Sequence, residues 1–574
     1  MKQKMIFSFL CLLTLFMTIF GLTLNQTGGL LNASTFLSIF LIIISFIFLY
    51  KNRAFLQFTP LFWVLTLLVS FILQLAFFNN LQIAKMNILS IIIYFLSRTI
   101  FTLIINLCIQ LLVKRSSNFA FQYNNKRLTK FVITLAIFLG CCVYWFGFYP
   151  AAMSPDSLAQ WKQAHTGEFN DWHPIMVTWI FMLIIQLWDS PGAIVLFQIL
   201  VVSLIYLYTF NFFIKKKIHP ILLSFFTLII LTIPPFLVFS VIIWKDILYS
   251  SFMLFFTVNI AQVYFSKGAW LKSKKNIFIM FLSAFGVAFF RHNGFPVFIL
   301  TFLTMAFVFR NNWKIILSIL LVIFVAQKII TGPVFAKLDV APSDPNEALA
   351  IPTQQIANII SSNGKLSTEE RDYFNKVFPI QQWKEKYNPY TNDPIKFSWD
   401  SYDRNFIFKD IKLYFKNYLS VVIKNPRLAT EALLRQTSLV WQVTPFEPHY
   451  VVTYITGIHT NNEFGLKNTV INPVLTEKAN QYLKASTEFP FKWVWKPAFY
   501  HCIILIFSLM LLVRKGFSSS IILLPWALNT LSVLVALPAQ DFRYLLASVF
   551  ISLFIIALPF VEEKQEERIE NTDK

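Results

Sequence analysis

AIVLFQILVVSLIYLYTFNFFIKKK, residues 193–217, decides the fold class. Its apolar run is long enough to cross a bilayer core, which takes about 20 helical residues. It closes on Lys215, Lys216 and Lys217, and such a cluster marks a cytoplasmic helix end. Comparable runs recur along all 574 residues, of which 56% are hydrophobic and only 13% charged. Mean hydropathy is +0.61, whereas soluble domains carry about 25% charged residues. Lipid cannot satisfy open backbone groups, so the spans must be helices. The sequence therefore predicts an all-α polytopic membrane protein with about fourteen transmembrane helices. It is expected in the cell membrane, with the bilayer as a partner and both termini cytoplasmic.

The formal net charge of +21 does not indicate nucleic acid. Its excess sits in short clusters between apolar runs: Lys51 and Arg53, Lys114 and Arg115, Lys126 to Lys130, Lys215 to Lys217, Lys272 to Lys275. That is the positive-inside pattern, and no nucleic-acid partner is expected. Cys11, Cys108, Cys141, Cys142 and Cys502 all lie in apolar runs without metal spacing, so neither a disulfide nor a zinc site is expected. The first 29 residues resemble a signal peptide without a small-residue cleavage site and are read as an uncleaved span. Arg98, inside an apolar run, is expected to snorkel to headgroups.

Spans are expected near 5–24, 34–50, 60–78, 88–113 and 131–149. A parity conflict follows. If 174–189 crossed the bilayer, the span at 191–213 would deliver the triple lysine outside. The stretch is short for crossing and carries interfacial Trp179 and Trp188, so 151–190 is read as one outer loop. Further spans are expected near 219–240, 247–265, 276–290, 295–309, 313–331, 497–513, 517–537 and 544–561. Residues 332–496 hold 19 Lys/Arg against 16 Asp/Glu and no apolar run. They are expected to form an extracellular soluble domain. The divisions are 1–130 (N-terminal spans), 131–331 (core with the outer loop 151–190), 332–496, 497–561 (last spans) and 562–574 (cytoplasmic tail).

This topology puts Asp156, Asp171, His173, Lys245, Asp246, Arg291, His292, Asp541 and Arg543 at the outer surface, from four loops. Charges beside lipid are costly and usually functional or paired. "SPDSLAQW" reads as a helix start, with Ser154 as cap, Pro155 first and Asp156 in the first turn. Asp156 either complements the helix dipole or acts as a general base. In "DWHP", Asp171 either caps a helix or contacts a ligand, and His173 is read first as a hydrogen-bonded residue. His165 and Glu168 read as solvated.

These landmarks resemble the GT-C superfamily of polytopic glycosyltransferases, which includes protein mannosyltransferases and the aminoarabinose transferase. An acid in the first large outer loop is followed by a His-Pro-led surface helix. "WKD" (244–246), "RHNG" (291–294) and "DFRY" (541–544) follow in order. The likeness covers most of 131–331 and 497–561, not 332–496. The chain has Pro155-Asp156-Ser157 and His173-Pro174-Ile175 where many relatives carry two adjacent acids or His-Pro-Pro. It looks closest to GT-C-like membrane proteins of low-GC Gram-positive bacteria. The resemblance implies an inverting transferase that takes a sugar from a polyprenyl-phosphate donor to an envelope polymer or glycolipid. Asp156 would be catalytic. Asp171, His173, Lys245, Asp246, Arg291, Asp541 and Arg543 would bind substrate, with the arginines suited to a bidentate phosphate contact. No cofactor is expected and no metal ligand is assigned, while a divalent metal is left open. The rival readings are a flippase or transporter, for which Pro234-Pro235 could break a helix, and a non-catalytic envelope protein.

Overall fold

The computed structural model describes residues 47, 59–77, 102–111, 113, 121–444, 449–488 and 490–561. The expected span near 5–24, nearly all of that near 34–50, Arg98 and the tail 562–574 lie outside them. The first helices are α1 (Pro60–Phe77), α2 (Thr102–Leu111), α3 (Lys126–Gly147), α4 (Pro155–Thr166), α5 (Ile175–Ile185) and α6 (Pro191–Lys215). Then come α7 (Pro220–Thr232), α8 (Lys245–Phe265), α9 (Lys274–Phe289), α10 (Gly294–Val308) and α11 (Trp313–Ile329). The later ones are α12 (Ala350–Ser361), α13 (Thr368–Val377), α14 (Ile411–Lys424), α15 (Pro426–Trp441), α16 (Pro473–Ser486), α17 (Pro497–Lys515), α18 (Leu524–Ala536) and α19 (Leu546–Ala557).

Among the described residues, seven helical stretches are long and apolar enough to cross a membrane: α1, α3, α6, α8, Arg310–Lys337, α17 and Phe542–Phe560. Five shorter apolar helices accompany them: α2, α5, α7, α10 and α18. The protein is therefore a helical membrane protein. The bundle is built around α8, which packs on α6, α9 and α19, while α17 packs on α19 and α3 on α6. Ion pairs are scarce in its interior, and neutral polar contacts take their place. Tyr208 donates to Asn259 at 2.6 Å, and Asn259 donates to Ser283 at 2.9 Å. Such interhelical bonds hold helices together where lipid gives no hydrophobic drive between them.

The two ends of the bundle differ in charge. Lys216 and Lys515 both lie over the Phe265 ring, at 4.8 and 5.9 Å. The Phe121 N–H donates to the Lys217 carbonyl at 2.9 Å. The starts of α3 and the ends of α6, α8 and α17 thus share a basic end. At the other end of α8, the Lys245 ammonium meets His173, just before α5. After α5, Asp189 pairs with His165 of α4 at 2.9 Å. Helix α5 thus leads from the Lys245 contact to the far end of α4. Its 11 residues reach only about 16 Å, half a bilayer core. His165, read as solvated, is exposed and also tethers Asp189, its ring packed against Trp161 at 4.5 Å between ring centroids.

The expected span near 219–240 is broken. Helix α7 ends at Thr232, and Pro234 and Pro235 supply no N–H donors. The chain continues as two 3-10 turns, Pro234–Phe236 and Val238–Val241, inside the bundle. Irregular backbone there needs partners. Gln198 of α6 gives them, donating to the Ser240 and Ile242 carbonyls, each at 3.1 Å. The expected span near 517–537 likewise opens as a 3-10 segment, Phe517–Ile522, before α18.

Residues 349–429 gather a core of their own around Phe374, Trp383 and Tyr414. Ser367 caps α13 in a reciprocal pair with Glu370, the arrangement expected of Ser367 or Thr368 there. The segment 449–488 instead joins the main core through Ile458, Ala479 and Leu483. Among the described residues there are no strands, only isolated bridges. Ala152 pairs with Ile242, Met153 with Ile458, Val452 with Asp541, Thr391 with Ala539, and Asn170 with Ala341.

Candidate functional site

Those bridges hold the site. Ala152 and Met153 immediately precede Ser154 and Asp156; Ile242 precedes Lys245 and Asp246; Asp541 precedes Arg543. Three arms that are far apart in sequence are thereby clamped by backbone bonds, with 452–458 as the crosspiece. The first arm ends in α4, capped reciprocally by Ser154 and Ser157 with Pro155 at its start. Trp244 donates its indole N–H to the Ser154 hydroxyl at 2.8 Å, tying the first arm to the second.

On this frame Asp156 and Arg543 meet. Arg543 Nη2 lies 2.8 Å from Asp156 Oδ2, and its Nε lies 2.8 Å from Asp541 Oδ2. The guanidinium stacks over Trp244 at 4.5 Å. Asp541 also accepts the Arg543 backbone N–H at 3.1 Å. Asp156 Oδ1 faces His173 Nε2 at 3.8 Å. The Lys245 ammonium donates to His173 Nδ1 at 2.6 Å. With Nδ1 accepting, the ring hydrogen sits on Nε2, on the side of Asp156 but beyond hydrogen-bond distance of it.

A second pair lies one residue along α8. Arg291 Nε is 3.3 Å from Asp246 Oδ1, and Arg291 donates to the Tyr544 carbonyl at 3.0 Å. Asp246 is buried, yet neither carboxylate oxygen makes a hydrogen bond. Such an unsatisfied buried group in a folded protein calls for a structural or functional reason. Arg291 and His292 lie in the tight turn between α9 and α10. Gly294 makes that turn possible, because a Cβ there would strike the Val287 carbonyl oxygen and the Tyr249 ring. His292 Nε2 bonds the Asp171 carbonyl oxygen at 3.0 Å.

The eight residues singled out from sequence therefore divide into linked groups. Asp156, His173, Lys245, Asp541 and Arg543 form one, Asp246 and Arg291 the second, and Asp171 reaches them through His292. Sequence reasoning gave Trp244 no role, although it stands beside the selected charges in "WKD", and noted Tyr544 only as the partner of Arg543 in "DFRY".

Burial acts to raise the Asp156 pKa, but Arg543, His173 and Lys245 overturn it and hold the carboxyl well below the usual range. Burial first, then Lys245, keeps His173 well below the ordinary imidazole value, so its ring is neutral. Burial pushes Asp171 up to about 6, against the pull of Lys245. Burial likewise pushes Asp541 up to about 6, with Arg543 opposing it. The cluster thus holds an ionised carboxylate open to the exterior, a neutral N–H donor and three cations. A cavity of about 150 Å³ adjoins it, floored by Asp171, Arg291 and His292 and walled by Met176, Phe295 and Phe335. Among the described residues, no three His, Cys, Asp or Glu side chains are grouped to hold a metal ion.

A model of the family described as "Family of unknown function (DUF6020)" matches residues 163–574. The match takes in every selected residue except Asp156. No curated protein and no solved structure matches the chain.

Proposed function

We propose a function for this chain from its own residues, because it belongs to DUF6020, a family of unknown function. The reading is an inverting glycosyltransferase of the cell membrane, GT-C-like, with about fourteen spans and both termini cytoplasmic. It moves a sugar from a polyprenyl-phosphate donor to a cell-envelope acceptor on the outer face. The observation that carries it is Asp156: an ionised carboxylate on a capped helix start, 35% exposed, with Arg543 on one oxygen and His173 facing the other.

In this reaction the acceptor hydroxyl attacks the anomeric carbon and its proton goes to Asp156. The carbon–oxygen bond to phosphate breaks, and polyprenyl phosphate leaves with that electron pair. While Arg543 is bound to Asp156, the carboxylate is a weak base, since a base works best with a pKa near the operating pH. A donor phosphate that draws the guanidinium onto itself relieves Asp156 of its strongest partner and raises its basicity. Donor binding thus arms the base. Lys245 and Arg291 supply further positive charge to the leaving phosphate. The apolar walls of the adjoining cavity suit the first isoprene units.

A flippase is the second reading, favoured by the helix break at Pro234–Pro235, a feature common in transporters. The test is purified protein in nanodiscs with synthetic polyprenyl-phosphate sugars and an envelope acceptor fraction. Sugar-linked acceptor supports transfer. If no donor binds and no product forms, transfer is ruled out and the flippase reading takes its place.

A further inference from the structure

Trp172, between Asp171 and His173, turns toward a second group of aromatic rings on the 332–496 segment. Its ring stacks against Phe397 with centroids 6.4 Å apart at 30°. Phe397 meets Trp399 at 5.9 Å and 40°. The three rings make a continuous surface that is not closed over: Phe397 is 45% exposed and Trp399 is 61% exposed. Large flat rings left open beside polar groups mark a binding surface rather than a core.

The polar groups around the rings are held in place. Lys396 is buried, its ammonium 4.5 Å from the Phe397 centroid and paired with Glu347 at 3.0 Å and Asp393 at 3.3 Å. The Arg404 guanidinium sits over the Trp399 ring, 3.7 Å from the centroid, and is paired with Asp344 at 3.1 Å. Arg404 also donates to the Lys396 carbonyl. One face of Trp399 is thus backed by a guanidinium fixed from behind, which orients the ring. Three carboxylates meet two cations here, so the rim carries no excess of positive charge. The side chains of Glu347 and Asp393 are partly exposed, at 37% and 42%.

This surface is continuous with the Asp156 cluster. Thr391 bridges Ala539, and the Asn392 N–H donates to the Pro538 carbonyl at 2.8 Å, just before Asp541. On the other flank Asn170 bridges Ala341.

We infer that Trp172, Phe397 and Trp399 form the acceptor subsite, and that the acceptor is a neutral saccharide chain. The inference rests on the transfer reading above and names its acceptor class. A sugar ring offers an apolar C–H face to stack on flat aromatics and hydroxyls to donate to carboxylates. For an anionic headgroup, both cations described on this rim, Lys396 and Arg404, are already paired with carboxylates. Polyanionic acceptors are disfavoured by the same three carboxylates.

The test uses the full chain in nanodiscs, probed with maltohexaose, cellohexaose, chitohexaose and mannohexaose by saturation-transfer NMR. At least one binds the wild type and binds about tenfold more weakly to Trp399→Ala and to Phe397→Ala. Trp399→Phe restores most of the loss. Absence of binding by all four, or equal binding by the wild type and both alanine variants, overturns the inference. A nitroxide on Trp399→Cys separates a membrane anchor from a sugar platform. Collisions with aqueous nickel chelate fit the platform, whereas collisions with lipid-dissolved oxygen alone overturn it. Saccharide binding without any transfer activity leaves this subsite standing and removes the donor reading. Transfer that is indifferent to Trp399→Ala and Phe397→Ala does the reverse.

Discussion

Arg543→Ala removes the one side chain that bonds two carboxylates in the cluster. Both ion contacts are 2.8 Å long. Asp541 is 8% exposed at its side chain, so it is stranded in a poor solvent; Asp156 is 35% exposed and recovers water. Breaking a buried pair typically costs about 3–5 kcal/mol, and the Asp156 contact adds little to that because it is open to solvent. The cost depends on pH. Asp541 already has its carboxyl pushed up to about 6 by burial in the presence of Arg543, and losing the cation raises it further. A raised acid contributes stability below its unfolded pKa of about 3.9 and loses it as pH rises through the folded value. The deficit of Arg543→Ala against wild type should therefore be largest near pH 8 and shrink toward pH 5, where Asp541 is protonated. Asp156 adds a constant part over that window, since its depressed pKa keeps it ionised throughout in the wild type. Thermal unfolding in detergent at pH 5, 6.5 and 8 measures this. Equal stability of variant and wild type at pH 8 would refute the central place given to the Arg543 fork.

Three other outcomes are expected. Gly294→Ala should destabilise by about 1–3 kcal/mol through its clash with the Val287 carbonyl and Tyr249, read as a lower melting temperature; an unchanged melt would contradict that packing. Gln198→Leu strips hydrogen bonds from the Ser240 and Ile242 carbonyls and should cost about 1–3 kcal/mol by leaving buried acceptors bare, with protease sensitivity appearing near 233–244. Single cysteines at His165 and Lys216 should label from opposite sides of sealed vesicles, because α6 separates them; labelling of both from outside would overturn the topology.

The helices were legible wherever a long apolar run was closed by charge, as at Lys215–Lys217. The parity of those clusters predicts that α5 turns back, since the alternative puts three lysines on the wrong side. The start of α4 was readable because Ser154 and Pro155 act locally on their own backbone. What sequence could not carry is the set of single-residue bridges under the site. A lone pairing such as Val452 with Asp541 leaves no period to detect. The stack of Trp172 on Phe397 joins distant segments through shape alone. The break after Thr232 was hinted at by Pro234-Pro235, but its repair by Gln198 depends on a neighbouring helix and so was invisible. The doubly bonded state of Arg543 was also hidden, and it changes the chemistry: an arginine read as a phosphate clamp begins in the grip of two carboxylates.

The most direct measurement is sugar transfer from a polyprenyl-phosphate donor by wild type and Asp156→Asn, side by side in nanodiscs. Loss of one positioned base predicts a fall in turnover of about 10²- to 10⁴-fold, with donor affinity equal or higher because the amide no longer competes with the phosphate for Arg543. Transfer by Asp156→Asn at the wild-type rate would contradict the account.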